Sequence, residues 1–208
     1  DDTIKDMYED IQNIGSRDVE DLLLLNYMFC KDLINKAHKA LFVKEDPHFA
    51  LNFMMSGIRR MANIEVLLNK TIPLRESTIQ ALEFNPEFFK EIFTDMIHTP
   101  LKSWEVINEV LEKMENYLDE HLKQFIQPVI RLLEKEEEMT HYDLKTHFSD
   151  IWLPVDLREF VARGFIRQTE APFRFTKKSS AEMMQPAYQL ASSRMDTEIL
   201  MDEEWNLM

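Results

Sequence analysis

Glycine is nearly absent from this chain: Gly15, Gly57 and Gly164 are the only three in 208 residues. Glycine supplies tight β-turns and the loops whose backbone cradles phosphate, so all-β folds, P-loops and Rossmann fingerprints are disfavoured. Cysteine is limited to Cys30, which excludes an internal disulfide and makes a reducing cytoplasm the expected setting. Apolar runs such as Leu22 to Leu25 are too short to cross a membrane or to form a signal-peptide core. Positive charge is also scarce. Lys and Arg total 24 against 38 Asp and Glu, a net charge of −14 that disfavours non-specific binding to nucleic acid or anionic lipid. The chain opens on Asp1 rather than Met, which leaves a longer native N-terminus open.

What is present is helical spacing. Ile4, Met7, Tyr8, Ile11 and Ile14 fit one helix, ended by Gly15-Ser16. A long helix is expected from about Asp18 to Val43. Asp46-Pro47, a cap followed by a first-turn proline, opens another to about Asn69. Its inward stripe would include Phe49, Phe53, Ile58, Met61, Ile64 and Leu68. Thr71 to Glu76 reads as a loop, Ser77 to Gln80 as a capping box, and Asn85-Pro86 as the next cap. Thr99-Pro100 starts a helix carrying Trp104, Ile107, Val110, Leu111, Met114, Tyr117 and Leu118, and Pro128 kinks or restarts it.

Beyond the charged run Glu134 to Glu138 the pattern changes. Thr140 caps a helix to about Phe148, and Pro154 opens one ending at Gly164. Alternating segments at 165–169 and 173–176, around Glu170-Ala171-Pro172, predict a β-hairpin, followed by a helix from Ser179 to Leu190 and an acidic tail. The expected fold is therefore mainly α: an antiparallel helical bundle over 1–122, a small winged-helix-like α+β unit with one β-hairpin over 123–192, and a tail over 193–208.

Several chemistries can be weighed on spacing. The histidines do not recur three or four apart, and Glu138-Met139-Thr140-His141 crosses a helix cap, so no metal site is expected. Cys30 lies in an apolar stretch and reads as a small buried hydrophobe. No Gly-x-Ser-x-Gly elbow occurs, so hydrolase chemistry is disfavoured. Gly15-Ser16 with Asp18, Glu20 and Asp21 has the residue types of a two-metal nucleotidyl site. The acids follow at once, however, and open a helix, where they complement its dipole.

Two sets of residues remain. Lys31, Asn35 and His38 on the second helix and Arg59, Arg60, Asn63 and Glu65 on the third would line a groove with Arg75 and Glu76 if those helices pack antiparallel. Arginine forks suit phosphate and carboxylate ligands. The competing reading of each such residue is a solvated helix face. Residues 145–180 carry seven basic side chains, Lys145, Arg158, Arg163, Arg167, Arg174, Lys177 and Lys178, against four acidic ones, Asp150, Asp156, Glu159 and Glu170. A basic wing suits duplex DNA, but Asp156 and Glu159 on the presumed recognition helix would face phosphates, which favours a protein-docking or packing role.

The segments Phe49-Ala50-Leu51-Asn52-Phe53-Met54, Arg59-Arg60-Met61-Ala62-Asn63, Ile72-Pro73-Leu74-Arg75-Glu76-Ser77, Asn85-Pro86-Glu87-Phe88-Phe89 and Glu115-Asn116-Tyr117-Leu118 carry a family likeness. They resemble the helical substrate-binding domains of bacterial nucleotidyltransferase-like proteins, in particular the YgxA-like group. Gly164-Phe165-Ile166-Arg167, the run from Phe173 to Ser179 and Pro186-Ala187-Tyr188 resemble the C-terminal unit of the same proteins. The resemblance implies that these helices close over the acceptor of a nucleotidyl group; the polar rows noted above then make Lys31, His38, Arg59, Arg60, Glu65 and Arg75 the expected groove residues. It places ATP and magnesium on a preceding catalytic domain, whose Gly-Ser and carboxylate strand is not in this sequence. Nucleotidyl transfer is therefore expected only together with such a domain. A DNA-reading regulator, whose helical bundle dimerises or senses a ligand, is the alternative; Arg158, Arg163, Arg167, Arg174, Lys177 and Lys178 would then touch the duplex. A protein-interaction adaptor is a third reading, suited to the acidic surface. No membrane partner is expected.

Overall fold

The computed structural model describes residues 15–99, 103–151, 155–174 and 182–191. The chain is mainly helical with a small antiparallel sheet, and it divides into two compact units between Phe125 and Ile126. The expected helix over Ile4 to Ile14, the tail over 193–208, Pro154, Lys177 and Lys178 lie outside the described residues.

The first unit begins with α1 (Ser16–His38), which widens into a π-helical turn over Lys39–Val43. Helix α2 (Pro47–Leu68) starts where Asp46 accepts the Phe49 amide at 2.9 Å and Pro47 fills a first-turn position. Helices α1 and α2 pack along their lengths. Then come α3 (Ser77–Phe84), α4 (Pro86–Phe89), a π-helical segment over Lys90–Asp95, α5 (Met96–His98), α6 (Trp104–Glu120) and α7 (Leu122–Phe125). Asn85 caps α4 as expected, accepting the Phe88 amide at 3.4 Å.

Three details of this unit differ from expectation. The helix expected from Thr99-Pro100 begins at Trp104, since Thr99 and Ser103 are both extended. The Ser77–Gln80 capping box does not form: Ser77 is buried, and Gln80 instead pins the loop before it. Its Oε1 accepts the Leu74 amide at 2.8 Å and its Nε2 donates to the Ile72 carbonyl at 3.2 Å. The buried stripe of α2 runs through Ala50, Met54, Ile58, Met61 and Ile64, leaving Phe49 exposed, edge-on to Phe53 at 4.7 Å. Leu24, Ile34, Ile58, Met61, Phe89, Ile107, Met114 and Phe125 fill the core. Gly57 lets the helices approach closely, since a Cβ there would lie 2.9 Å from Met114 Cε and 3.8 Å from Leu33 Cβ.

The second unit contains α8 (Gln127–Glu136), restarted at Pro128, then β1 (Glu138–Thr140), α9 (His141–His147), α10 (Arg158–Ala162), β2 (Ile166–Arg174) and β3 (Glu182–Leu190). Thr140 and Asp143 form a reciprocal capping box: the Asp143 amide donates to Thr140 Oγ1 at 3.1 Å and the Thr140 amide to Asp143 Oδ2 at 3.0 Å. The sheet order is β1-β3-β2, all antiparallel.

This unit corrects the sequence reading in four places. Strand β2 runs straight through Glu170-Ala171-Pro172, which is not a turn. The helix expected over Ser179 to Leu190 is instead β3 across its described residues, so the hairpin pairs Ile166 with Leu190 and Arg174 with Glu182. Strand β1 was unforeseen. Finally, α10 begins at Arg158, because Asp156 accepts the Arg158 amide at 3.2 Å and turns the chain just before it. Proline survives in β3 for a topological reason. Strand β1 covers Ala187 to Gln189 only, so Pro186 has one neighbouring strand rather than two, where a missing N–H costs little.

Candidate functional site

Lys31 and His38 lie seven residues apart on α1, two helical turns along one face. Both reach Glu115 of α6, one on each carboxylate oxygen. Lys31 Nζ is 3.5 Å from Oε1, and His38 Nε2 is 3.4 Å from Oε2. All three side chains are about one-quarter to one-third exposed, so the cluster is open to solute. The His38 hydrogen bond, followed by the Lys31 charge, holds the Glu115 carboxyl below the usual carboxylate range against the opposing effect of partial burial.

An aromatic ledge continues from this cluster. The His38 ring stacks on Phe42 at 5.7 Å, and Phe42 meets Trp104 edge-on at 6.4 Å. Phe42 and Trp104 are each more than half exposed. The π-helical turn after His38 carries Phe42, and the first residue of α6 is Trp104.

The other expected groove residues are placed differently. Arg60 lies over the Phe29 ring with Cζ 4.8 Å from the centroid, a cation–π contact between α2 and α1. Arg59 is exposed on α2, and Arg75 is exposed in the loop before α3. Asn63 donates to Asn26 at 3.2 Å. Glu65 turns inward and is 8% exposed. It accepts from Tyr117 Oη at 2.7 Å, Asn69 Nδ2 at 3.0 Å and Asn85 Nδ2 at 3.3 Å. Burial, reinforced by the bond to Glu65, pushes the Tyr117 hydroxyl well above the usual phenol range, so Tyr117 is a fixed donor. Glu65 thus ties α2 to α6 and to the α3–α4 junction.

Glu115 was missed as a site residue in the sequence reading. Its signal was incomplete: two basic side chains on one face of α1 call for a carboxylate, but only the packing of α6 against that face selects Glu115. Cys30 is buried with its thiol pushed up to about 12 by burial, and Sγ lies 3.5 Å from the Gly57 carbonyl, which suits a small hydrophobe. Asp18 sits in the first turn of α1. Glu138 accepts from Thr169 at 2.8 Å and Gln189 at 2.6 Å. Among the described residues, no three His, Cys, Asp or Glu side chains are grouped to hold a metal ion, and no helix is long and apolar enough to cross a membrane.

In the second unit Arg158, Arg163 and Arg167 have partners within the unit. Arg158 Nε donates to Asp156 at 2.9 Å, Arg163 Nε to Glu159 at 3.0 Å, and Arg167 Nε to Gln189 at 2.8 Å. Arg174 is the last residue of β2.

No known protein family matches this chain, and no curated protein matches it. Among solved structures, the chain is similar to a nucleotidyltransferase-like protein from Exiguobacterium sibiricum 255-15, with a TM-score of 0.68 and 16% identity. The match covers 91% of this chain and 65% of that one, so the chain spans about two-thirds of its neighbour's length. The two share a fold.

Proposed function

We propose that the helical unit is the acceptor-binding part of a nucleotidyltransferase-like protein of the YgxA-like kind, and that the second unit is its winged-helix-like companion. The likeness in fold over 91% of the chain carries this reading. The partly exposed trio Lys31, Glu115 and His38, with Phe42 and Trp104 beside it, supports it as a place for a small polar molecule with a flat face. Arg59, Arg60 and Arg75 supply further positive charge on the same unit. Glu65 acts behind the groove by fixing α2 against α6. In this reading ATP and magnesium belong to a separate catalytic domain. The described residues offer no ligand set that fits the metal, and no step is assigned to it.

A thermal-shift screen of the chain against nucleosides, sugars and amino sugars tests the reading. The expected result is a ligand whose stabilisation disappears in Lys31→Ala and weakens in Arg59→Ala with Arg60→Ala. Equal stabilisation of all variants would remove these residues from the groove. The DNA-reading alternative draws on the order helix, strand, helix, helix, strand, strand in the second unit. It requires salt-sensitive duplex binding that weakens when Arg167, Arg174 and Lys177 are neutralised.

A further inference from the structure

We infer that His38 is the proton acceptor of the groove and that Glu115 is its positioning residue. A neutral imidazole that donates one ring N–H to a carboxylate leaves its other nitrogen as a lone-pair acceptor. Here Nε2 faces Glu115 Oε2 at 3.4 Å, while Nδ1 has no partner among the described residues. Lys31 holds Oε1 of the same carboxylate, and the Phe42 ring supports the imidazole face, so the ring's orientation is fixed from two sides. The ring remains partly exposed, so a bound molecule can reach it. A carboxylate in this position orients the imidazole and stabilises the imidazolium formed when a proton arrives.

This inference rests on the acceptor-groove reading for the identity of the proton donor, a hydroxyl of the bound acceptor. The O–H proton moves to Nδ1. The oxygen keeps the bonding pair and forms a bond to the α-phosphorus of a nucleoside triphosphate, from which pyrophosphate leaves. Glu115 does not touch the reacting atoms.

Two measurements on this chain test the pair without any ligand. Long-range proton–nitrogen NMR should find neutral His38 as the Nε2–H tautomer; the Nδ1–H tautomer would overturn the inference, whether or not any variant folds. Diethyl pyrocarbonate, which acylates unprotonated imidazole, should modify His38 several-fold more slowly in Glu115→Gln, with His48 and His98 unchanged as exposed references. An unchanged His38 rate in a folded Glu115→Gln variant would also overturn it. The ligand screen can fail while both results hold, so failure of the groove reading is distinguishable from failure of the proton acceptor.

Discussion

The two units put their long-range polar contacts to different uses. In the helical unit, beside local pairs such as Lys36 with Asp32, contacts join separate helices: Tyr117 with Glu65, Lys31 and His38 with Glu115, Asn63 with Asn26. In the second unit Arg158 and Arg163 find acids two or four residues away, and the long-range contacts of Arg167 with Gln189 and of Glu138 with Thr169 and Gln189 run across the strands of one sheet. Local pairs form wherever the element forms and say little about function. Long-range pairs hold only once the tertiary fold is in place, so they can assemble a site. That contrast directs attention to Glu115 rather than to the more conspicuous arginines of the hairpin.

The sharpest way to break the comparison is Glu65→Ala. Removing the acceptor leaves buried Tyr117 Oη without its partner and strips one from Asn69 and Asn85, and a denaturant titration should show a loss of about 2–3 kcal/mol. Tyr117→Phe should cost less, about 1 kcal/mol, because Glu65 keeps two donors. In the second unit, Thr140→Ala removes a reciprocal cap and should cost about 1 kcal/mol. A double-mutant cycle on Arg163 and Glu159, a partly exposed i,i+4 pair, should give a coupling below about 0.5 kcal/mol.

The smallest effect concerns pH. Because the folded Glu115 carboxyl sits below its unfolded value, its contribution is present above the ordinary carboxylate range and is lost as pH falls through the folded value. Solvent screening keeps it to a few tenths of a kcal/mol at about one-third exposure. Glu115→Gln should therefore flatten the acid side of the stability profile slightly, read by urea midpoints at neutral and acidic pH.

Helix starts were legible in the sequence at Asp46-Pro47, Asn85-Pro86 and Thr140, where a cap coincides with a proline or a capping partner, but not at Thr99-Pro100, since α6 begins at Trp104, and the Ser77–Gln80 box does not form. Local chemistry decides such positions. The sheet was harder to read because its pairing is decided elsewhere. Strand β1 is too short for a period to emerge, and Met183-Met184-Gln185-Pro186 lacks clean alternation. Pro172 has the composition of a turn, yet it pairs with Met184 within the ladder. In the candidate site Lys31 and His38 were found from their shared helix face. Glu115 needed the packing of α6 against α1, and the inward turn of Glu65 needed the convergence of Tyr117, Asn69 and Asn85.

Pro172 has one more consequence. Among the described residues β2 pairs only with β3, so its other side is a nine-residue edge. Such an edge is a template on which a second chain can add a strand and begin an aggregate. Proline removes one amide donor from β2, and the neighbouring Glu170 puts an exposed charge beside it. The residue that most resembled a turn in the sequence thus equips this strand to resist growth into a larger, intermolecular sheet.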